Sequence, residues 1–304
     1  MPPSFSAAPV HVRVPATSAN LGPGFDSAGL ALTLHDDVVV RATGSGLRVR
    51  VEGEGAADLP RGERHLVVKA LRAAFDALGG QPGGLEVACT NRLPQSRGLG
   101  SSSAAICAAV VAARAVVQGG ESLLDDDAML ALATRLEGHP DNVAACLRGG
   151  ATFAWTEDDG RVGVARVVPA ASLAPVALVP STRASTAKVR GMLPATVPHA
   201  DAAANGGRAA LLPLALTSAP ELLLAATRDL LHQSYRAPAM PATADLVAAL
   251  RADDVPATVS GAGPTVLALV HEADAARVAA RAPQGWQALR LQVDAAGAVV
   301  LSRV

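Results

Sequence analysis

Pro94-Gln95-Ser96-Arg97-Gly98-Leu99-Gly100-Ser101-Ser102-Ser103-Ala104-Ala105 joins a segment with strand character to a run of small residues with helical character. Gly98 and Gly100 allow positive φ and a close approach of backbone to ligand. The N–H groups at the start of the following helix have no partner within it, so they face an anion with the helix dipole behind them. The hydroxyls of Ser101, Ser102 and Ser103 add donors to a phosphate or a ligand to a metal. By mechanism this is a phosphate cradle. It is not a Walker A loop, because neither lysine of the chain, Lys69 or Lys188, follows a glycine. An ordinary N-capped helix after a loop shares the local pattern, so the segment does not decide the matter alone.

Upstream, Gly84 to Thr90 reads as a strand, and Val10, Val12 and Val14 alternate onto one face of another. Val38–Arg41 and Leu47–Val51 read as two more, joined through Gly44-Ser45-Gly46. Helical spacing runs from Leu66 to Leu78 and stops at Gly79-Gly80. Downstream, the small-residue helix extends to about Val117, and Asp125–Glu137 forms a helix with acids in its first turn. Pro140 opens the next helix, and Gly149-Gly150 begin a strand through Trp155. Further strands are expected near 162–168, 174–180, 256–260, 265–270 and 288–293, with helices near 185–192, 200–213, 219–232, 241–252 and 272–282. Helices and strands mix in both halves. The expectation is an α+β protein of two domains, 1–158 and 159–304, parted in the polar region of residues 155–165.

Composition narrows the function. Aromatic residues are 2% of the 304, and the formal net charge is −1, so the chain lacks the cationic stripe with aromatics that a nucleic-acid partner needs. The longest apolar stretch, Ala104–Val117, is broken by Arg114, and residues 211–226 are broken by Pro213, Pro220 and Glu221. Neither suits a bilayer. Cys89, Cys107 and Cys146 form no CxxC pair and sit in apolar surroundings, which fits buried thiols in a reducing cytoplasm. The N-terminus has no basic start followed by an apolar run, so no signal peptide is expected.

Two more glycine-rich segments accompany the first. Pro15-Ala16-Thr17-Ser18-Ala19-Asn20-Leu21-Gly22-Pro23-Gly24-Phe25-Asp26 follows the first strand and frames Asn20 and Asp26. Taken alone it reads more readily as a structural turn. Ser260-Gly261-Ala262-Gly263-Pro264 lies between two β-like runs and reads locally as a hairpin turn, or as backbone N–H groups near a phosphate.

Taken together, the three segments, in this order and spacing, resemble the GHMP kinases, the family of galactokinase, homoserine kinase, mevalonate kinase and phosphomevalonate kinase. That family's middle motif, Pro-x-x-x-Gly-Leu-Gly-Ser-Ser, is met by Pro94 to Ser102. The first segment resembles the homoserine-kinase branch in particular, as do Glu137-Gly138-His139-Pro140-Asp141-Asn142-Val143, the set Thr186, Arg190, Leu193 and Pro194, and Leu231-His232-Gln233-Ser234-Tyr235-Arg236. The resemblance covers Val14 to about Val270. It implies a ribosomal-protein-S5-like N-terminal domain and a ferredoxin-like C-terminal one.

It also implies a reaction: transfer of phosphate from ATP to the hydroxyl of L-homoserine, with Mg²⁺, in threonine biosynthesis. On that reading the nucleotide is cradled by Pro94 through Ala104 with Gly261 and Gly263. Mg²⁺ is held by Glu137 and Ser102. The substrate ammonium meets Asp26, its carboxylate meets the forks of Arg190 and Arg236, and Asn20 and Asn142 bond near the hydroxyl or ammonium. Asp141 is the one other acid in the Glu137 segment and a candidate base. Homoserine kinases resemble one another in lacking a clear base, and Asn142 then stands near the hydroxyl. His139 is expected to be structural. His65 departs from the asparagine that relatives often carry where the base is approached. Rival readings are another GHMP kinase acting on mevalonate or a sugar alcohol, and a non-catalytic metabolite-binding regulator. A homodimer is expected by the same resemblance.

Overall fold

The computed structural model describes residues 3–303; the side chains of Thr186, Ala187 and Arg303 lie outside the described residues. In chain order the elements are β1 (Val10–Ala19), β2 (Ala28–Thr43), β3 (Gly46–Gly53), α1 (Leu66–Ala77), β4 (Gly84–Asn91), α2 (Ser101–Val116), α3 (Gly120–Leu123), α4 (Asp126–Glu137), α5 (Asp141–Arg148), β5 (Ala151–Thr156), β6 (Val162–Val167) and β7 (Leu173–Val179). Then follow α6 (Thr186–Arg190), α7 (His199–Thr217), α8 (Leu223–Ala226), α9 (Gln233–Arg236), α10 (Pro241–Ala252), β8 (Ala257–Val259), β9 (Val266–His271), α11 (Glu272–Ala279), β10 (Gln287–Arg290) and β11 (Val299–Arg303).

The strands make two sheets. The larger runs β11-β1-β2-β4-β3, with β5 pairing the first residues of β2 and β6 pairing β5; the smaller runs β10-β7-β9-β8. Alternation in β1 works as read: Val10, Val12 and Val14 are fully buried. The Gly44-Ser45-Gly46 turn does join β2 to β3, but β4 inserts between them, antiparallel to β2 and parallel to β3. The expected division after Asp158 falls inside the β5–β6 hairpin, whose strands both belong to the larger sheet, and β11 returns to that sheet from the chain's far end. The change of sheet along the chain therefore comes after Val167, not at 158.

α2 is buried nearly all round because its residues are almost all Ala, Val, Ile or Cys, and a helix apolar on every face belongs in a core. It lies in one apolar cluster with α1, α4, α5 and the larger sheet. Leu267 and Leu269 of β9 turn into that same cluster, while Val266, Ala268 and Val270 turn the other way and pack with Leu246, Leu250, Ala275 and Val278 of α10 and α11. Period-two alternation on one buried strand thus ties two cores together.

The expected helix over 219–232 is not continuous. α8 ends at Ala226, and Asp229 then takes the backbone N–H groups of Leu231, His232 and Gln233. A carboxylate satisfying three donors fixes a turn where a helix would leave it in solvent. α9 restarts beyond it and carries Arg236.

Candidate functional site

Backbone bonds stitch the three glycine-rich segments into one floor. Thr17 N donates to Leu99 O at 3.1 Å, Gly261 N to Ala19 O at 3.1 Å, and Thr265 N to Arg97 O at 3.2 Å. Ser260–Pro264 is the turn between antiparallel β8 and β9, so the hairpin reading holds, and the same turn closes the site. The glycines are needed for contact. At Gly98 a Cβ would lie 2.2 Å from Ser260 O, and at Gly100 it would lie 2.0 Å from Thr17 Oγ1. Both have positive φ, +82° and +70°.

A cleft of about 240 Å³ opens above this floor. Gln95, Ser96, Arg97, Gly98, Gly100, Ser101, Ser102 and Ala104 line it, as do Asn20, Asp26, Glu137, Asp141, Asn142, Arg190, Arg236, Gly261 and Gly263. Pro94, Leu99 and Ser103 do not: all three are buried and shape the loop from behind. Arg97, expected among the phosphate contacts, lines the cleft and also donates to the carbonyls of Pro180, Ser181 and Gln95, pinning the loop to the end of β7.

Gly100 caps α2 in a left-handed conformation with no side-chain bond to the helix start, which leaves donors of the first turn open to the cleft. Glu137, last residue of α4, accepts from Ser102 Oγ and from Ser103 Oγ, each at 2.8 Å, one on either carboxylate oxygen. Serine hydroxyl and carboxylate are hard oxygen donors of the type Mg²⁺ takes. No group of three or more His, Cys, Asp or Glu suited to a metal exists among the described residues, so phosphate oxygens and water would have to complete any such coordination.

Asn142, the second residue of α5, is buried; its Oδ1 accepts from Thr17 Oγ1 at 2.7 Å. Asp141 Oδ1 already accepts from Asn142 N and pairs with His139 Nδ1, both at 2.7 Å. That bond to Asp141 raises the His139 pKa, against the opposing effect of burial. Asp141 thus orients its neighbours through Oδ1, while Oδ2 has no hydrogen bond among the described residues.

Asn20 Nδ2 donates to Gly261 O at 2.9 Å, and its Oδ1 accepts from Asp26 N at 3.0 Å. Asp26 forms a two-bond ion pair with Arg190, at 2.7 and 2.8 Å, which raises the Arg190 pKa. Arg236 differs. It is 2% exposed, has no carboxylate partner among the described residues, and leaves Nε without any partner. Burial, and then Arg190, lower its pKa. Both guanidiniums lie over the Phe25 ring, at 5.5 and 5.2 Å.

Several residues here escaped the sequence reading. Phe25 and Thr17 lay inside a quoted segment, yet nothing local marked their partners. Asp36 lines the cleft, and burial pushes its carboxyl up to about 6 even though Arg92 N and Leu93 N donate to it. His65, which the sequence had marked by its departure from asparagine, lines it too, 4% exposed with neither ring nitrogen bonded among the described residues; burial lowers its pKa.

The Gly100 geometry yields a first expectation. Gly100→Ala adds left-handed strain and a clash with Thr17, together about 2–4 kcal/mol of destabilisation. A melt should show a Tm several degrees below wild type; an unchanged Tm contradicts the tight loop.

Comparison with known proteins agrees with this construction. Residues 65–150 match the GHMP kinases N terminal domain and residues 211–288 the GHMP kinases C terminal domain. The chain is 63% identical over 299 residues to the homoserine kinase of Streptomyces avermitilis, covering 98% of each. It is 48% identical over 297 residues to that of Rhodococcus opacus, covering 93% of this chain and 95% of the relative. The crystal structure of homoserine kinase from Cytophaga hutchinsonii superposes with a TM-score of 0.83 at 25% identity, covering 98% of both.

Proposed function

The chain belongs to the GHMP kinase family, with homoserine kinases as its relatives along nearly its whole length, and from this we propose that it transfers the γ-phosphoryl group of ATP to the hydroxyl of L-homoserine. The product is O-phospho-L-homoserine, a step of threonine biosynthesis. The observation that carries the substrate is Arg236: a buried guanidinium with no direct carboxylate partner among the described residues, lining the same cleft as the phosphate loop. A buried charge left unpaired is costly, so the missing anion belongs to a ligand. Homoserine supplies a carboxylate there. Its ammonium suits Asp26, so the zwitterion replaces one internal ion pair, Asp26–Arg190, by two across the interface.

Phosphate oxygens of ATP suit the open donors of α2 and the backbone of Gly98 and Gly100. Mg²⁺, when bound by Ser102 and Glu137, would neutralise charge on the phosphate oxygens. Asn142, locked by Thr17, bonds and orients the substrate hydroxyl. Phosphoryl transfer through a loose transition state asks little of a base, and positioning with charge stabilisation carries most of the rate. Asp141 fits that account by orienting His139 and Asn142. Asn20 braces the Gly261 turn and the backbone of Asp26.

On this reading the nucleobase lies beside His65, whose ring nitrogens have no hydrogen-bond partner among the described residues. His65→Leu should raise KM for ATP about tenfold, the worth of one hydrogen bond, and leave KM for homoserine unchanged. Equal KM for ATP in both proteins contradicts this placement.

Three buried thiols fit a cytoplasmic enzyme. No described helix is long and apolar enough to cross a membrane. A homodimer belongs to the same reading, and a monomer mass by light scattering contradicts it. The reaction itself is tested by ³¹P NMR of the product. A phosphomonoester on the homoserine side chain is expected, and an acyl phosphate on the carboxylate overturns the orientation.

A further inference from the structure

His232 is fully buried between the loop of residues 20–26 and α9. Its Nε2 stands 2.8 Å from Gly22 O, an atom that can only accept, so Nε2 carries the proton. Its Nδ1 stands 3.3 Å from Arg236 Nη1, a group that can only donate, so Nδ1 is the acceptor. The ring is thus neutral and of one tautomer: Asp229 Oδ1 also lies 3.4 Å from Nε2, but burial outweighs it and lowers the His232 pKa. It lies against Phe25 with ring centroids 5.2 Å apart, and the turn that carries it is held by Asp229.

Arg236 has little else to aim it. Nη1 also reaches Gly261 O at 3.4 Å, and Nε is enclosed without a partner among the described residues. With Nη1 tied back and Nε enclosed, Nη2 is the terminal nitrogen with no hydrogen bond among the described residues, and it is left to donate to a carboxylate. The geometry points to His232 as a positioning residue: its Nδ1 holds Nη1 of Arg236 so that Nη2 faces the substrate carboxylate, while Nε2 ties the same ring to the substrate loop at Gly22. This rests on the proposed role of Arg236 as the carboxylate site.

An amide can copy either half of the imidazole. Asn places an acceptor near Nδ1, and Gln places its amide near Nε2. H232Q therefore keeps the tie to Gly22 and loses the hold on Arg236; H232N does the reverse. H232Q should raise KM for homoserine about three- to tenfold, the worth of one modest bond to a charged group, with kcat and KM for ATP within about twofold of wild type. H232N should restore most of that loss. In an R236A background, H232Q should add almost nothing, because the group it positions is gone. An equal penalty from H232Q with and without Arg236 overturns the positioning role while the carboxylate reading stands. If R236A itself leaves KM for homoserine unchanged, the carboxylate reading fails and takes this inference with it. Should H232Q melt early, H232N carries the test: its KM must stay within about twofold of wild type, and a tenfold rise overturns the inference.

Discussion

Glu137→Gln lowers kcat by about 10²- to 10³-fold while KM for homoserine stays within about threefold, the scale seen when one preorganised charge-stabilising group is removed. The substitution is nearly isosteric. A glutamine oxygen can still accept from Ser102 or Ser103, which now bond one to each carboxylate oxygen at 2.8 Å. What it loses is the negative charge that would hold Mg²⁺ against the phosphates. Ser102→Ala should cost less, because a neutral ligand is removed, and raising Mg²⁺ should partly rescue it. Rapid-quench turnover across a Mg²⁺ series separates the two. Wild-type turnover in Glu137→Gln would remove Glu137 from the metal site.

Arg236→Ala should act on the other side of the kinetic balance. The carboxylate lies away from the reacting hydroxyl, so its contacts serve ground and transition states alike. A charge-assisted bond contributes roughly 1.5–3 kcal/mol, so KM for homoserine should rise about 10- to 100-fold with kcat and KM for ATP nearly unchanged. Arg236→Lys should recover only part, since an ammonium cannot offer two parallel donors. Arg190→Ala should also raise KM, and the double mutant should fall short of the product of the two if both forks hold one carboxylate. Arg190 carries a complication that Arg236 lacks: its removal frees Asp26 as well. A homoserine analogue with a neutral amide in place of the carboxylate is the control. Arg236→Ala should lose little on the amide, and an equal loss on both compounds means Arg236 does not meet the carboxylate.

Much of this site was written in local patterns. Glycines at 98 and 100 signal a backbone under steric demand, and the structure shows the demand as contacts with Ser260 and Thr17. The acids before α4 and the glycine after it bracket a helix that ends on Glu137. What stayed hidden was long-range. Residues 28–37 form the first half of β2, but the polar run His35-Asp36-Asp37 masks a strand whose polar groups are bonded across the sheet to Arg13, Arg92 and Asp294. That β4 lies between β2 and β3 follows from register, which no single segment encodes. His232 looked like one more residue of a helix. Its role depends on Asp229 breaking that helix and on Gly22, 210 residues away. Arg236 stood out in the sequence by resemblance alone; its burial and its lack of a carboxylate partner among the described residues supply the physical reason.

The central claim, that the cleft takes an amino-acid zwitterion and phosphorylates its hydroxyl, is tested most directly by ADP release with ATP and Mg²⁺ across L-homoserine, mevalonate and galactose. The account predicts saturable turnover with homoserine and background rates with the other two, because neither presents an ammonium to Asp26 together with a carboxylate to Arg236. ADP release with mevalonate and none above background with homoserine would contradict it, leaving the chain a GHMP kinase with another substrate.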